Sequence, residues 1–79
     1  MESSSLHIGK CIKEVVEKKG IRTIWLARQL HCHRNNIYKI YERPFIDTEL
    51  LMSLSLLLDY DFFAELSHQF RTLNSQKRI

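Results

Sequence analysis

The sequence predicts an all-α domain, and three observations carry that prediction. Apolar residues recur at helical spacing in successive stretches, and no stretch alternates apolar and polar residues as a half-buried strand does. Between the stretches stand residues that stop and start helices. Seventy-nine residues suffice for one small core. The 44% hydrophobic and 27% charged fractions are ordinary for a folded domain and exclude disorder over most of the chain.

The first helix is expected over residues 6–19, where Ile8, Ile12, Val15 and Val16 make one stripe at i, i+4, i+7 and i+8. Gly9 lies inside it and is expected to weaken the first turn, since glycine is a poor helix former. Gly20 follows, where a left-handed residue closes a helix. A second helix covers residues 23–30, with Leu26, Ala27 and Leu30 on one face and Thr23 as a candidate cap. A third runs from about Arg34 to residue 42. Its Ile37, Ile40 and Tyr41 point inward, while Asn35, Tyr38, Lys39 and Glu42 point the opposite way, with Arg34 and Asn36 on the flanks. Arg43 ends it, because the residue before Pro44 is pushed out of helical geometry.

Asp47 is a good cap for a fourth helix, with Glu49 in its first turn where negative charge suits the dipole. Leu50, Leu51, Leu54, Leu57 and Leu58 make that helix the expected central core element. Asp61 caps a short fifth helix, FFAEL. After Ser67 the chain becomes polar and basic. The domain is therefore placed at residues 6–67, with 68–79 as a polar, basic tail expected to be partly disordered.

Twelve Lys/Arg and nine Asp/Glu leave a net charge of +3, unevenly spread. Residues 1–46 hold nine bases and four acids, net +5, whereas residues 47–79 hold three bases and five acids, net −2. A basic half suggests a face that meets a polyanion. MESSSLHIGK has an acid at position 2 and no apolar segment, so it is not expected to be a signal peptide. LLMSLSLLL at 50–58 is far short of the ~20 residues of a membrane span. Cys11 and Cys32 make no disulfide framework. A cytoplasmic protein with reduced thiols is the expectation.

Residues 31–43, HCHRNNIYKIYER, invite two readings. His31, Cys32 and His33 resemble the start of a metal site, but consecutive side chains on a tight turn diverge, and no second ligand pair completes a set. Neither a metal nor a cofactor is expected, and Cys32 is better placed as the small apolar residue that anchors the turn. The same stretch opens a basic, amide-rich helix. Arginine reads guanine O6/N7 with two hydrogen bonds and asparagine reads adenine N6/N7 in the same way. Arg34 and Asn35 occupy the N-terminal turn, the end a recognition helix inserts. Tyr38 and Lys39 lie one turn further on. These four are the candidate base contacts. Arg22, Thr23, Arg28, His33, Asn36 and Arg43 are the candidate phosphate contacts, the first three set around the second helix.

From Ile8 to Leu66, roughly three quarters of the chain, the sequence resembles the lambda-repressor-like, Cro/xenobiotic-response-element helix-turn-helix domain. The residues that carry the likeness are Gly20, Leu26-Ala27, Leu30, Ile37 and Leu50-Leu51. The resemblance implies a compact five-helix domain with a helix-turn-helix formed by helices 2 and 3, and a small residue at Ala27 where those helices cross. It implies double-stranded DNA as the partner and transcriptional regulation as the role. Five positions depart from the pattern. Arg22-Thr23 stands where the family has Ser or Thr and then Gln, and His31 where it has Gly. His33 replaces a Ser or Thr cap, and Tyr41 stands where Glu is frequent.

No nucleophile–base pair, paired carboxylates or glycine-rich phosphate loop appears, so neither an enzyme nor a small-molecule substrate is expected. A homodimer on a two-fold operator is expected, because one small module covers little DNA. Ile24 and Trp25 fall off the Leu26/Ala27/Leu30 face, and Phe70 or Leu73 of the tail is expected to fold over them. The alternative function is an antitoxin-like or phage-regulator-like protein-interaction module that uses Trp25 and the aromatics around helix 5, Tyr60, Phe62 and Phe63.

Overall fold

A computed structural model describes residues 6–76, which form five α-helices: α1 (Ile8–Lys18), α2 (Thr23–Gln29), α3 (Arg34–Glu42), α4 (Thr48–Leu58) and α5 (Phe62–Gln76). None of the described residues is in a strand, so the fold is all-α as the periodicity predicts. The buried set draws on every helix. It holds Ile8, Ile12, Val15 and Val16 from α1 and Leu26 and Ala27 from α2. Ile37, Ile40 and Tyr41 come from α3, Leu51, Leu54 and Leu58 from α4, and Phe62 from α5. Among the described residues no charged side chain is buried, so α3 can be held by apolar packing alone.

The N-terminus of α1 is docked on the end of α3. The first turn of any helix leaves backbone N–H groups without intrahelical partners. Here the Ile8 N–H donates to the Pro44 carbonyl at 2.8 Å and the Gly9 N–H to the Arg43 carbonyl at 2.9 Å. The Lys10 N–H donates to Nδ1 of His7, which caps α1. The approach is so close that a Cβ on Gly9 would stand 2.4 Å from the Tyr41 carbonyl oxygen and 2.5 Å from that of Ile40. Gly9 is therefore the residue that lets the two helices meet, and not a weak point in the first turn.

Three helices close with the same device. In the Schellman arrangement the N–H groups just past the helix return to its last-turn carbonyls, with a left-handed residue at the reversal. After α1, Gly20 (φ 69°) holds that position, with Ile21 N–H on the Val16 carbonyl. After α2 it is His31 (φ 58°), with Cys32 N–H on the Ala27 carbonyl. After α4 it is Asp59 (φ 51°), with Tyr60 N–H on the Ser55 carbonyl. A residue with a Cβ is strained there by about 1–2 kcal/mol, less for Asp and His than for most. At Asp59 the negative charge also faces the negative end of the α4 dipole. Asp59→Gly should therefore raise stability by about 1 kcal/mol after the greater freedom of the unfolded chain is subtracted. Urea unfolding that shows no gain, or a loss, would contradict the strain assigned to this position.

Asp47 Oδ1 accepts the Leu50 N–H at 2.7 Å and Asp61 Oδ1 the Ala64 N–H at 3.0 Å, so both aspartates cap as the sequence predicts. The fifth helix differs from expectation. It continues through His68, Phe70 and Leu73 to Gln76, so the described part of the expected tail is helical; residues 77–79 lie outside the described residues. Nor do Phe70 and Leu73 fold over Ile24 and Trp25. Phe70 is 64% and Leu73 50% exposed, and Ile24 and Trp25 stay 47% and 39% exposed. The molecule measures 47 × 23 × 21 Å, and its long axis fits a helix that runs past the core.

Candidate nucleic-acid interface

Helices α2 and α3 are joined by a four-residue turn, Leu30, His31, Cys32 and His33. Leu30 and Cys32 are half-buried against the core, while His31 and His33 are exposed. Cys32 thus anchors the turn, as its placement in the sequence predicts. The chain leaves the turn through His33, whose backbone is extended and whose Nδ1 accepts the Asn35 N–H at 3.1 Å. An imidazole so does the capping work usually given to Ser, Thr, Asn or Asp. With Nδ1 accepting, the neutral ring carries its proton on Nε2.

Thr23 does not cap α2. Arg22 holds the capping position and makes no side-chain cap bond, and Thr23 is the first helical residue. The Thr23 hydroxyl is hydrogen-bonded to the Tyr41 hydroxyl at 3.0 Å, which ties the start of α2 to the last turn of α3. Burial pushes the Tyr41 phenol above its ordinary value, although the Thr23 hydrogen bond opposes the shift. The ring of Tyr38 meets that of Tyr41 edge-on at 6.1 Å. A side chain at the outer surface is thereby braced by one in the core.

With Ile37, Ile40 and Tyr41 buried, helical periodicity turns Asn35, Tyr38 and Lys39 outward, while Arg34 is on the flank as the first residue of the helix; all four are exposed. Glu42 is the one acid of α3 and stands at its far end. Arg22, Arg28, His33, Asn36 and Arg43 are exposed as well, whereas Thr23 is half-buried. Arg28, His33 and Arg34 share one cleft with Ile24. Asn36, Lys39 and Arg43 line a second, along the other flank of α3. The candidate contacts thus lie on or next to α2, the turn and α3, with Arg22 in a separate cleft beside Gly20, Ile21 and Trp25.

Two features escape a reading of the 31–43 stretch alone. Lys10 and Lys13 of α1 line a cleft with Tyr38 and Glu42, so the cationic rim continues onto α1. The signal was their i, i+3 spacing opposite the Ile8/Ile12 stripe. The Ile24–Trp25 pair is also split. Ile24 lies in the cleft with Arg28 and Arg34, while Trp25 borders Gly20, Ile21 and Arg22. An apolar residue beside cationic ones suits a thymine methyl next to a phosphate.

Other chemistry finds less support in the geometry. Among the described residues no three His, Cys, Asp or Glu side chains gather as a metal site would require. Both cysteines are free, and burial, followed by Glu65 and Glu14, pushes the Cys11 thiol up, away from a reactive thiolate. Phe62 is buried with its ring 4.8 Å from that of Tyr60, and the Tyr60 hydroxyl donates to Glu65, so this cluster closes the core. None of the described helices is long and apolar enough to cross a membrane. No family model matches the chain, and neither a curated protein nor a solved structure matches it.

Proposed function

We propose that this chain is a sequence-specific double-stranded DNA-binding protein, a cytoplasmic transcriptional regulator of the lambda-repressor-like kind that lays α3 in the major groove. In this reading α2, the turn and α3 are the helix-turn-helix. Arg34, Asn35, Tyr38 and Lys39 face base edges, and Arg22, Arg28 and Arg43 hold phosphates, with Lys10 and Lys13 added from α1. The observation that carries it is the exposure of Asn35, Tyr38 and Lys39 on the face of α3 opposite its buried residues, together with Arg34 exposed on the flank of its first turn. A solvated face is the bland alternative. It gives no reason for three arginines beside an amide-rich helix whose only acid is at one end.

Retardation of random duplex at two salt concentrations tests the reading. Each neutralised phosphate releases counterions, so log K should fall against log salt with a slope near −0.9 per contact, or about −3 to −5 for the five cations named. Absence of any shift at low salt would remove the proposal. The second reading, a protein-interaction module, rests on Trp25, which stays 39% exposed on α2. It predicts no retardation of duplex at either salt concentration.

A further inference from the structure

Two of the five helices are capped by histidine, and both caps bear on α3. At the start of α3, His33 Nδ1 accepts the Asn35 N–H at 3.1 Å. At its end the first turn of α1 is docked, with the Ile8 and Gly9 N–H groups on the Pro44 and Arg43 carbonyls. That turn is capped by His7, whose Nδ1 accepts the Lys10 N–H at 3.1 Å. Carboxylates cap α4 and α5. Imidazole differs from them, because in ordinary surroundings its charge changes between about pH 5 and 8. The nitrogen that accepts the N–H is the one that protonation fills. A protonated ring has two N–H donors and no acceptor, so each cap is lost when its ring takes up a proton. The new charge also stands at the positive end of a helix dipole, where it is unfavourable.

We infer that His33 and His7 make the seating of α3 pH-sensitive: neutral rings hold the helix at both ends, and proton uptake in mild acid loosens both. The groups around each ring set the size of the effect. His33 shares its cleft with Arg28 of α2 and Arg34 of α3, and no acid lines it. His31, on the same turn, can add only positive charge. Nothing there offsets a further cation. His7 shares a cleft with Lys10 and Lys13 of its own helix and with Tyr38, Tyr41 and Glu42 of α3. Arg43 follows at the docked end. Glu42 is the one acid in this group and softens the repulsion, so the larger effect belongs to His33. The unfolded chain takes protons on both rings freely, whereas the folded chain takes them only by giving up a cap. Below about pH 7 the unfolded state therefore binds more protons, and stability falls as the pH falls. The inference concerns how α3 is seated, whatever α3 binds. On the DNA reading it adds that the base-reading helix loosens in acid.

Urea unfolding of the full chain at about pH 7.5 and about pH 5.5 tests it, a window that lies above ordinary carboxylate titration. The folding equilibrium constant of the parent should fall about three- to tenfold between the two. His33→Asn and His7→Asn keep an accepting oxygen at each cap and remove the titrating group. Asparagine is among the best capping residues, so both variants should fold. The double variant should lose most of the pH dependence, and His33→Asn alone should remove the larger part. His68→Asn, at an exposed position on α5, should leave it unchanged. A parent equally stable at both pH values overturns the inference. So does a double variant that falls as far as the parent, or a pH dependence that disappears when His68 is replaced. No duplex enters these measurements, so failure of the DNA reading would leave them as they are.

Discussion

Gly9→Ala should destabilise the protein by about 3 kcal/mol or more, the largest effect expected of any substitution that adds a single methyl group. Helix propensity alone predicts the opposite sign, because alanine in place of glycine inside a helix gains about 1 kcal/mol. Packing decides the matter. The new carbon would meet three backbone oxygens, those of Tyr41, Ile40 and Arg43, at 2.4 to 2.6 Å. A flexible side chain could swing aside, but these atoms belong to the last turn of α3 and the segment after it. That segment also accepts the N–H groups of Ile8 and Gly9. Relief therefore requires α1 and α3 to separate, which breaks those two hydrogen bonds and loosens Ile8 and Ile12 against Ile40 and Tyr41.

A chain of this size has a total stability of about 4–12 kcal/mol, so the loss is a large share of it. Gly20→Ala is the control. Nothing lies within 4 Å of a Cβ there, and only its left-handed backbone, φ 69°, is offended, at a cost of about 1 kcal/mol. Urea unfolding of the two variants separates a clash from backbone strain. Equal costs, or a Gly9→Ala variant as stable as the parent, would mean that α1 does not sit on the end of α3 as described.

Gly9 also marks where local and tertiary information part. Helical periodicity predicts the buried stripe of α1 and the inward Ile37, Ile40 and Tyr41 of α3, and Pro44 predicts where α3 ends, because each is a property of neighbours along the chain. Asp47 and Asp61 are readable for the same reason, as a cap acts within three residues of its own position. The close approach at Gly9 joins residues more than thirty positions apart, and no local pattern distinguishes it from a weak helix residue. The bond between the Thr23 and Tyr41 hydroxyls is likewise invisible in sequence, which is why Thr23 reads as a cap and turns out to be a strut.

The end of α5 is a different case. Its polar residues outnumber its apolar ones after Ser67, and composition read in that way signals a frayed tail. The spacing of Leu66, Phe70 and Leu73 carried the opposite message, and the structure follows the spacing. For the candidate interface, exposure of Asn35, Tyr38 and Lys39 follows directly from which positions of α3 are apolar, and that of Arg34 from its place at the start of the helix. The contribution of Lys10 and Lys13 depends on how α1 lies beside Tyr38, which is again tertiary.

Arg34→Ala and Asn35→Ala should each weaken binding to the preferred duplex by about 1–3 kcal/mol, that is about 5- to 150-fold in Kd. Each should also relax base preference at one position of the site. Both side chains are exposed, so neither change should alter stability by more than a few tenths of a kcal/mol. The expected pattern differs between them. Asn35 is neutral, so its loss should leave the salt slope and the affinity for random duplex as they were. Arg34 shares a cleft with Arg28 and His33, so its loss should lower the affinity for random duplex as well.

Lys39 is the informative third substitution. If its ammonium touches a base, Lys39→Ala changes sequence preference. If it touches a phosphate, the same change reduces the salt slope by about one and weakens all sequences alike. Preference is measured by selecting sites from a randomised duplex pool with the parent and with each variant. If the Arg34→Ala and Asn35→Ala proteins enrich the same sites as the parent, with the same affinity, α3 does not read bases. The outward tips of its first turn would then serve only to keep that surface wet.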